Sequence, residues 1–178
     1  MRVAIHEGKI LMDRDVYDTL AKLGVPPTDS VTIGGKTAPA MAHSLQAVAL
    51  FRNMGLELKT PLSSGGYKFT GRHTPFEHQI VTADFLAGYA RAFCLNSPGT
   101  GKTSAALWAA DYLMHLGLVR RAVVLCPLSC VGPVWADEIF DTLPHRTYGL
   151  LVGTAAARKK VMQSDAQFLV INHDGIKT

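Results

Sequence analysis

The sequence predicts an α/β protein whose larger, C-terminal part is a doubly wound parallel sheet, preceded by a small α+β unit. Three observations lead to this fold class. After residue 71, short apolar runs alternate with helical segments. A glycine-bearing loop follows the first of these runs, and polar loops follow two later ones. Strands that alternate with helices at this spacing form a parallel sheet.

Length and composition agree with a well-filled core. The chain has 178 residues, enough for one full domain or for one domain with a small appendage. Hydrophobic residues make up 48% and charged residues 18%, which is not the composition of a disordered chain. The net charge of +4 is shared equally, with +2 in residues 1–70 and +2 in residues 71–178. This charge and the pI of about 9.1 permit a nucleic-acid partner but do not require one.

The cysteines and the hydropathy exclude several classes of protein. Cys94, Cys126 and Cys130 form no plausible disulfide framework, and no second Cys or His pair completes a zinc site. No apolar run approaches the roughly 18 residues of a membrane span. The N terminus lacks the apolar segment of a signal peptide. We therefore expect a soluble protein, cytoplasmic or otherwise intracellular, with no membrane partner.

Residues 1–70 are predicted to form a small α+β unit of about four short strands and two helices. Apolar runs on both sides of Glu7-Gly8 indicate a hairpin over residues 2–12. The other predicted elements are helices over residues 15–23 and 41–54 and strands over residues 31–33, 56–58 and 67–69. No catalytic constellation appears in this unit, and the sequence does not reveal its role.

A Gly-Lys-Thr triplet lies in this first unit. Residues 30–37 read S-V-T-I-G-G-K-T, but no apolar strand precedes them and Pro39 follows almost at once. Because a phosphate-binding loop is preceded by a strand and followed by a helix, we predict a simple turn here.

The second unit, residues 71–178, is predicted to open with a helix that has Thr74 as its cap and Pro75 in its first position. This helix should end near residue 89. Apolar runs typical of buried strands then alternate with helical stretches. The predicted strands are residues 92–95, 121–126, 148–152 and 168–171, and the predicted helices are residues 104–116, 134–140 and 153–162.

The loop after residues 92–95 has the composition of a phosphate-binding site. It reads Asn96-Ser97-Pro98-Gly99-Thr100-Gly101-Lys102-Thr103. Gly99 and Gly101 can adopt backbone angles that turn successive N–H groups inward, and the following helix adds the positive end of its dipole. Lys102 would reach the β- and γ-phosphates of a nucleoside triphosphate, and the Thr103 hydroxyl would bind Mg²⁺. The alternative is a glycine-rich turn without a ligand.

This loop departs from the pattern G-x-x-x-x-G-K-[ST] at one position, where Asn96 stands in place of glycine. Asn tolerates left-handed backbone angles better than most residues, so the loop can still close. On a parallel sheet, ligands bind beyond the carboxyl ends of the strands. We therefore expect the phosphate loop to share one sheet edge with the loops that follow residues 121–126 and 168–171.

Candidate contacts to a base and to a nucleic acid lie on both sides of the phosphate loop. The Gln79 carboxamide offers a donor and an acceptor that match N6 and N7 of adenine, and Phe76 would lie against the base. The alternative is a surface glutamine and a core phenylalanine. The hydroxyl and N–H groups within Pro127, Leu128 and Ser129 suit a nucleic-acid phosphate, but the same residues also fit an ordinary strand-to-helix turn.

From Thr74 to Thr178, about 105 residues, the chain resembles the first motor lobe of superfamily 2 helicases, most closely the Swi/Snf-type DNA translocases. The order of the motifs carries the resemblance. The matching segments are residues 75–79 for the adenine-recognising Q motif, residues 97–103 for motif I, residues 124–129 with Trp135 and Glu138 for motif Ia, and residues 170–176 for the stretch before motif II.

The resemblance implies a RecA-like P-loop NTPase lobe with ATP and Mg²⁺ as cofactors and DNA as partner, RNA not being excluded. It assigns catalytic roles to Lys102 and Thr103, with Thr103 as the metal ligand. The implied nucleotide contacts are Phe76, Gln79, Ser97, Pro98, Gly99, Thr100, Gly101, Lys102 and Thr103. The implied nucleic-acid contacts are Pro127, Leu128, Ser129, Asn172 and His173.

Two parts of the family pattern are missing from this sequence. No Asp-Glu pair of a Walker B motif follows the last predicted strand, and there is no second motor lobe with its arginine finger. Phosphoryl transfer needs these groups in addition to Thr103. We expect the chain to be the N-terminal piece of a longer or split translocase that works with a C-terminal motor lobe in cis or in trans. By itself it should bind nucleotide weakly and turn it over negligibly.

Two other functions compete with that of a translocase lobe. One is a non-catalytic module that binds nucleotide or DNA. The other is a different P-loop enzyme, such as a small kinase, which would need an acceptor site and an arginine-rich lid. The sequence shows neither of these two features.

Overall fold

The computed structural model of this protein describes residues 1–177, which form two compact units that divide between Tyr67 and Lys68. Each unit has its own sheet. None of the helices in residues 1–177 has the length and apolar character that crossing a membrane requires.

The first unit is a four-stranded antiparallel sheet with two helices. The strand order is β1-β2-β4-β3. Buried apolar side chains from the sheet and from both helices form one core, which includes Ile10, Val16, Leu20 and Phe51. The elements are β1 (Val3–His6), β2 (Lys9–Met12), α1 (Arg14–Lys22), β3 (Asp29–Ile33), β4 (Lys36–Ala42), α2 (Leu45–Asn53) and an irregular turn at Leu62–Gly66.

The Gly-Lys-Thr triplet of this unit lies in a hairpin, so the predicted turn is confirmed. Gly34 and Gly35 connect β3 to β4 with φ angles of 55° and 79°. Positive φ at both central residues is the conformation of a tight two-residue hairpin turn. Lys36 is therefore the first residue of a strand and not of a helix.

The strand β4 replaces the start of the helix predicted for residues 41–54. This strand contains Pro39, which has no N–H to donate to a neighbouring strand. In the structure Pro39 pairs with β3 but lies one residue beyond the stretch of β4 that pairs with β2, so the missing donor is tolerated. Helix α2 begins only at Leu45, where the Ser44 hydroxyl accepts a hydrogen bond from the Ala47 N–H. Residues 56–58 and 67–69 form no strands.

The second unit contains a three-stranded parallel sheet with the strand order β5-β7-β6. The central strand β7 is the most buried of the three. The helices and strands are α3 (Glu77–Gly88), α4 (Lys102–His115), β5 (Ala122–Cys126), α5 (Asp137–Thr142), β6 (Tyr148–Leu151), α6 (Ala155–Met162) and β7 (Phe168–Asn172). A 3₁₀ turn at Leu128–Cys130 and a π turn at Val131–Ala136 lead into α5, and a 3₁₀ turn at His173–Lys177 follows β7.

The strand predicted at residues 92–95 is wrong. Phe93 is 87% exposed and Leu95 is 89% exposed, and within residues 1–177 this segment pairs with no strand. An apolar run can form a strand only where a neighbour accepts and donates its backbone hydrogen bonds. In the described sheet β5 and β6 each pair only with β7, and residues 92–95 do not extend it at either edge.

We expect Phe93→Ala to leave the stability of the protein nearly unchanged. The side chain is exposed, so the free energy of unfolding should fall by less than about 0.5 kcal/mol. The matched control is Phe168→Ala in the core of the sheet, where Phe168 is 1% exposed and truncation should cost about 3–5 kcal/mol. Urea unfolding measures both values, and a loss above about 2 kcal/mol for Phe93→Ala would contradict the exposed position.

The first helix of the second unit also begins later than predicted. Helix α3 begins at Glu77, and Phe76 rather than Thr74 is the residue that precedes it. The reason is a side-chain contact: the Phe76 N–H donates a hydrogen bond of 2.9 Å to Oε1 of Gln79. The predicted helix at residues 134–140 is likewise a π turn followed by the short helix α5.

Helix α4 is the buried centre of this unit. Trp108 on this helix is 2% exposed, and its indole N–H donates to the Thr70 carbonyl oxygen at 3.0 Å. On the same helix, the buried Asp111 carboxylate accepts from Nε of Arg146 at 2.5 Å and from Nε2 of His145 at 3.1 Å. These contacts fix α4 to the segment before α3 and to the loop before β6.

The buried Tyr112 makes stability depend on alkaline pH. Burial, and secondarily the charge of Asp84, raise the pKa of Tyr112 to about 12. The unfolded chain ionises this phenol near its ordinary pKa of about 10, so the contribution of Tyr112 to stability is complete below pH 10 and is lost as the pH rises from 10 to 12.

We therefore expect the free energy of unfolding to fall by up to about 1.4 kcal/mol for each pH unit above 10 through this one group. Tyr112→Phe should remove that part of the slope, whereas Tyr148→Phe, at an exposed tyrosine, should not. Urea unfolding at pH 9, 10 and 11 measures the slopes, and equal slopes for all three proteins would contradict the assignment.

Candidate functional site

The predicted phosphate loop lies at the start of the longest helix of the second unit. Helix α4 begins at Lys102, and Gly101 precedes it with a φ of 69°. Gly99 also has a positive φ, of 78°. Residues with a Cβ adopt such angles rarely, so both glycines are needed for this loop shape. The loop therefore ends at the N terminus of a helix, where free N–H groups favour an anion.

The Lys102 ammonium group lies over this loop. Its Nζ donates hydrogen bonds to the carbonyl oxygens of Asn96 at 2.9 Å and of Ser97 at 2.8 Å. The Thr100 hydroxyl donates to the same Ser97 carbonyl at 2.9 Å. Lys102 thus lies at the mouth of the loop, with two of its three N–H donors bound to loop carbonyl oxygens. Thr103 follows in the first turn of α4 and is half-buried.

Helix α3 holds the loop at both ends. At one end, Nδ2 of Asn96 donates to the Thr82 hydroxyl at 2.9 Å, and that hydroxyl donates to the His78 carbonyl at 2.7 Å. At the other end, Nε2 of His78 donates to the Thr100 carbonyl at 3.1 Å. Asn96, which stands where the motif has glycine, therefore connects the loop to α3 through a side-chain hydrogen bond.

An open cleft of about 770 Å³ lies between α3 and the loop. It brings together side chains of the first two turns of α3 with the first half of the loop. The lining residues are Glu77, His78, Val81, Thr82, Asn96, Ser97 and Thr100.

The two candidate base contacts do not line this cleft; they line a smaller one of about 180 Å³ beside Trp108. Phe76 is 69% exposed and stacks on the His78 ring, with 5.7 Å between the centroids. The Gln79 oxygen is occupied by the Phe76 N–H. The Gln79 nitrogen lies so close to Gly101 that a Cβ at that glycine would be 1.9 Å from it. Gln79 therefore contacts the phosphate loop and also fixes the start of α3.

The two loops that were expected to meet a nucleic acid lie side by side. Cys126 at the end of β5 pairs in register with Asn172 at the end of β7, so Pro127 and His173 leave the sheet at neighbouring points. Leu128 is 64% exposed, and Pro127, Ser129 and His173 are also exposed.

The turn after β7 is held in place by packing. Nη1 of Arg158 donates to the Gly175 carbonyl at 3.0 Å. A Cβ at Gly175 would lie 2.8 Å from Oδ1 of Asn172, so only glycine fits here without a shift. The turn thereby fixes the position of the half-buried Asn172.

Sequence reasoning missed several residues at the loop. His78 and Thr82 are four positions apart on α3. Residues at this spacing lie on the same face of a helix, so the sequence could have placed both toward the loop. Ser104 carried no signal, and Glu138 was noted only through the resemblance. Ser104 donates to Glu138 at 2.5 Å, a contact between residues 34 positions apart.

Comparison with known proteins gives results at the level of structure only. No family model matches the chain, and no curated protein matches it. The SWI2/SNF2 ATPase core of Sulfolobus solfataricus, solved in complex with dsDNA, matches with 18% identity and a TM-score of 0.53 over 61% of this chain. The UvsW helicase of bacteriophage T4 matches with 16% identity and a TM-score of 0.47, covering 98% of this chain and 75% of that one.

The chain spans 23% of the length of the SWI2/SNF2 core that it matches. At 18% identity the likeness concerns the fold alone. The parallel three-stranded sheet with its helices is part of the RecA-like α/β fold of such motor domains. The predicted α/β fold class is therefore confirmed, and so is the likeness in fold to a SWI2/SNF2 ATPase core.

Proposed function

We propose that this chain is the ATP-binding part of an ATP-dependent DNA helicase or translocase of the Swi/Snf type. The observation that carries the proposal is the loop before α4. Two left-handed glycines lead into a 14-residue helix, and an ammonium group lies at the mouth. Free N–H groups, a helix dipole and a mobile cation together favour a polyphosphate.

The loop residues have distinct roles in this proposal. The backbone from Ser97 to Gly101 surrounds the β-phosphate, and Lys102 exchanges its two carbonyl partners for phosphate oxygens. Thr103 supplies one oxygen to Mg²⁺. The other ligands in this proposal are phosphate oxygens, water and the Walker B carboxylate of the family pattern.

Phe76 and Gln79 are the proposed contacts to the adenine. Phe76 offers an exposed ring that is already stacked on His78. The Gln79 oxygen already accepts from the Phe76 N–H, and its second lone pair can accept from the adenine amino group. The same side chain would then hold both the base and the start of α3.

The paired loops after β5 and β7 are the proposed contacts to DNA. After Pro127, the Leu128 and Ser129 N–H groups and the Ser129 hydroxyl are the donors, and Asn172 and His173 add polar side chains. Groups of this kind hold phosphates without reading the bases. The SWI2/SNF2 core that shares the fold was solved in complex with dsDNA, which supports DNA as the partner.

Turnover requires more than these residues. Hydrolysis needs a carboxylate that orients water and an arginine at the γ-phosphate. In this proposal the carboxylate comes from the Walker B motif, which the family places shortly after the segments matched here, and a C-terminal motor lobe, in cis or in trans, supplies the arginine. The chain by itself should therefore bind ATP without appreciable hydrolysis.

The test is a calorimetric titration of the purified protein with Mg–ATP and with AMP, followed by a steady-state ATPase assay with and without DNA. ATP should bind at least about tenfold more tightly than AMP, because only ATP carries the β- and γ-phosphates that the loop and Lys102 would hold. Equal affinities for ATP and AMP would refute the phosphate site. Robust DNA-stimulated turnover would refute the need for a second lobe.

A further inference from the structure

One carboxylate joins the first turn of α4 to helix α5. The Ser104 hydroxyl donates to Oε1 of Glu138 at 2.5 Å, and the Thr142 hydroxyl donates to the same oxygen at 3.2 Å. Ser104 directly follows Thr103 in the chain, so this contact lies two residues from Lys102. The carboxylate therefore reaches the helix turn that carries the proposed phosphate-binding residues.

The surroundings of Glu138 make these bonds strong. Thr142 and Trp108 are buried, and Glu138 itself is half-buried beside them. A hydrogen bond to an ionised acceptor is roughly twice as strong as a neutral one, and partial burial strengthens it further. Two hydroxyl donors on a single oxygen hold the carboxylate in one position.

Glu138 also belongs to the helical run that begins at the proposed DNA contacts. Leu128–Cys130, Val131–Ala136 and α5 follow one another without a gap, directly after Pro127. Ten residues of helical chain span about 15 Å, so Glu138 lies within one short run of the loop at Pro127. A shift of the first turn of α4 would therefore be passed to that loop through Glu138.

We propose that Glu138 is a positioning residue that couples occupancy of the phosphate loop to the order of residues 127–136. The coupling rests on the proposed nucleotide site. When phosphate oxygens replace the carbonyl partners of Lys102, the first turn of α4 is fixed, and Ser104 transmits this constraint to the carboxylate. Such a connection through packed helices is a physical route for coupling two sites.

The experiment is amide hydrogen exchange, read by mass spectrometry, with and without saturating Mg–ATP. The proteins are the unmodified chain, Ser104→Ala, Glu138→Ala and Glu138→Gln. The matched control is Ser164→Ala, which also removes a hydrogen-bonded serine hydroxyl but changes no contact of α4 or α5. Calorimetry measures the Kd for ATP of each protein separately.

In the unmodified chain, ATP should slow exchange in residues 127–136 at least about fivefold, the lower end of typical coupling. Ser104→Ala and Glu138→Ala should lose most of this slowing while their Kd for ATP stays within about threefold. Glu138→Gln keeps the acceptor oxygen and should restore the slowing, and Ser164→Ala should behave as the unmodified chain.

Three results would overturn the coupling. ATP binding without slowed exchange in the unmodified chain refutes it, and so does undiminished slowing in Ser104→Ala and Glu138→Ala. Either result leaves the nucleotide site intact. Absence of ATP binding to the unmodified chain, seen by calorimetry, refutes the proposed function and the coupling together.

Discussion

Replacing Lys102 by alanine should weaken the binding of Mg–ATP by about 10- to 100-fold. The lysine is the cation at the mouth of the loop, and a charge-assisted hydrogen bond contributes about 1.5–3 kcal/mol. The Lys102 ammonium is already within 2.9 Å of two carbonyl oxygens of the loop, so it needs only a small movement to reach a phosphate. Calorimetric titration with ATP measures the effect.

The chain itself offers a matched control for this substitution. Lys36 occupies the same position in the other Gly-Lys-Thr triplet, but it begins a strand after a hairpin turn. Lys36→Ala should leave ATP binding unchanged. Equal losses in both variants, or none in Lys102→Ala, would place the nucleotide elsewhere.

Lys102→Ala also separates the two leading functions. In a translocase assembled with its second lobe, the substitution should abolish ATP-dependent movement. In a non-catalytic module that binds DNA, it should leave the affinity for DNA intact. Electrophoretic mobility shifts of duplex DNA, recorded without nucleotide, measure the affinity for DNA directly.

Gly71→Ala should destabilise the second unit by about 3–5 kcal/mol. The φ of Gly71 is 112°, and an added Cβ would lie 2.5 Å from the Thr142 carbonyl oxygen and 2.8 Å from the Asp141 carbonyl oxygen. Both obstacles are backbone atoms, which cannot rotate away. Backbone strain of about 1–3 kcal/mol and overpacking of similar size therefore add. Urea unfolding measures the loss.

Gly117→Ala is the control for strain without a clash. Its φ is 70°, but nothing lies within 4 Å of the added Cβ. We expect a cost of about 1 kcal/mol from backbone strain alone. If Gly71→Ala costs no more than Gly117→Ala, then the segment at residues 70–72 does not pack against the end of α5 as described. The Arg72 N–H, which donates to the Asp141 carbonyl at 2.8 Å, reports on the same contact.

Much of the second unit could be predicted from the sequence, because its signals are local. Apolar runs placed β5, β6 and β7, the cap signal at Thr74 and Pro75 placed α3 to within three residues of its start, and the helical stretch after the phosphate loop placed α4. The loops at Pro127 and Asn172 then followed from the rule that parallel strands end at one edge, and the register between Cys126 and Asn172 agrees. We also expected the phosphate loop to lie at this edge of the sheet, and that expectation remains a prediction.

Other features depend on partners that are distant in the sequence. The run at residues 92–95 has the composition of a buried strand, yet Phe93 and Leu95 are exposed because no described strand lies beside them. Composition indicates that a segment favours burial, but a strand also needs a neighbour with free hydrogen-bonding groups. Strand β4 was missed for a similar reason, because it depends on pairing with distant strands. Its Pro39 is tolerated since the pairing of β4 with β2 stops at Ala40.

The sequence by itself determined the alternation of strands and helices from residue 104 to residue 172, the glycine-bearing loop before α4 and the residue types at its mouth, since each depends on neighbours along the chain. Only the tertiary structure decided that Asn96 is tied to α3, that Gln79 rests against Gly101, and that Ser104 meets Glu138. These contacts join residues between 14 and 34 positions apart. Their geometry depends on how helices pack together, which no local pattern encodes.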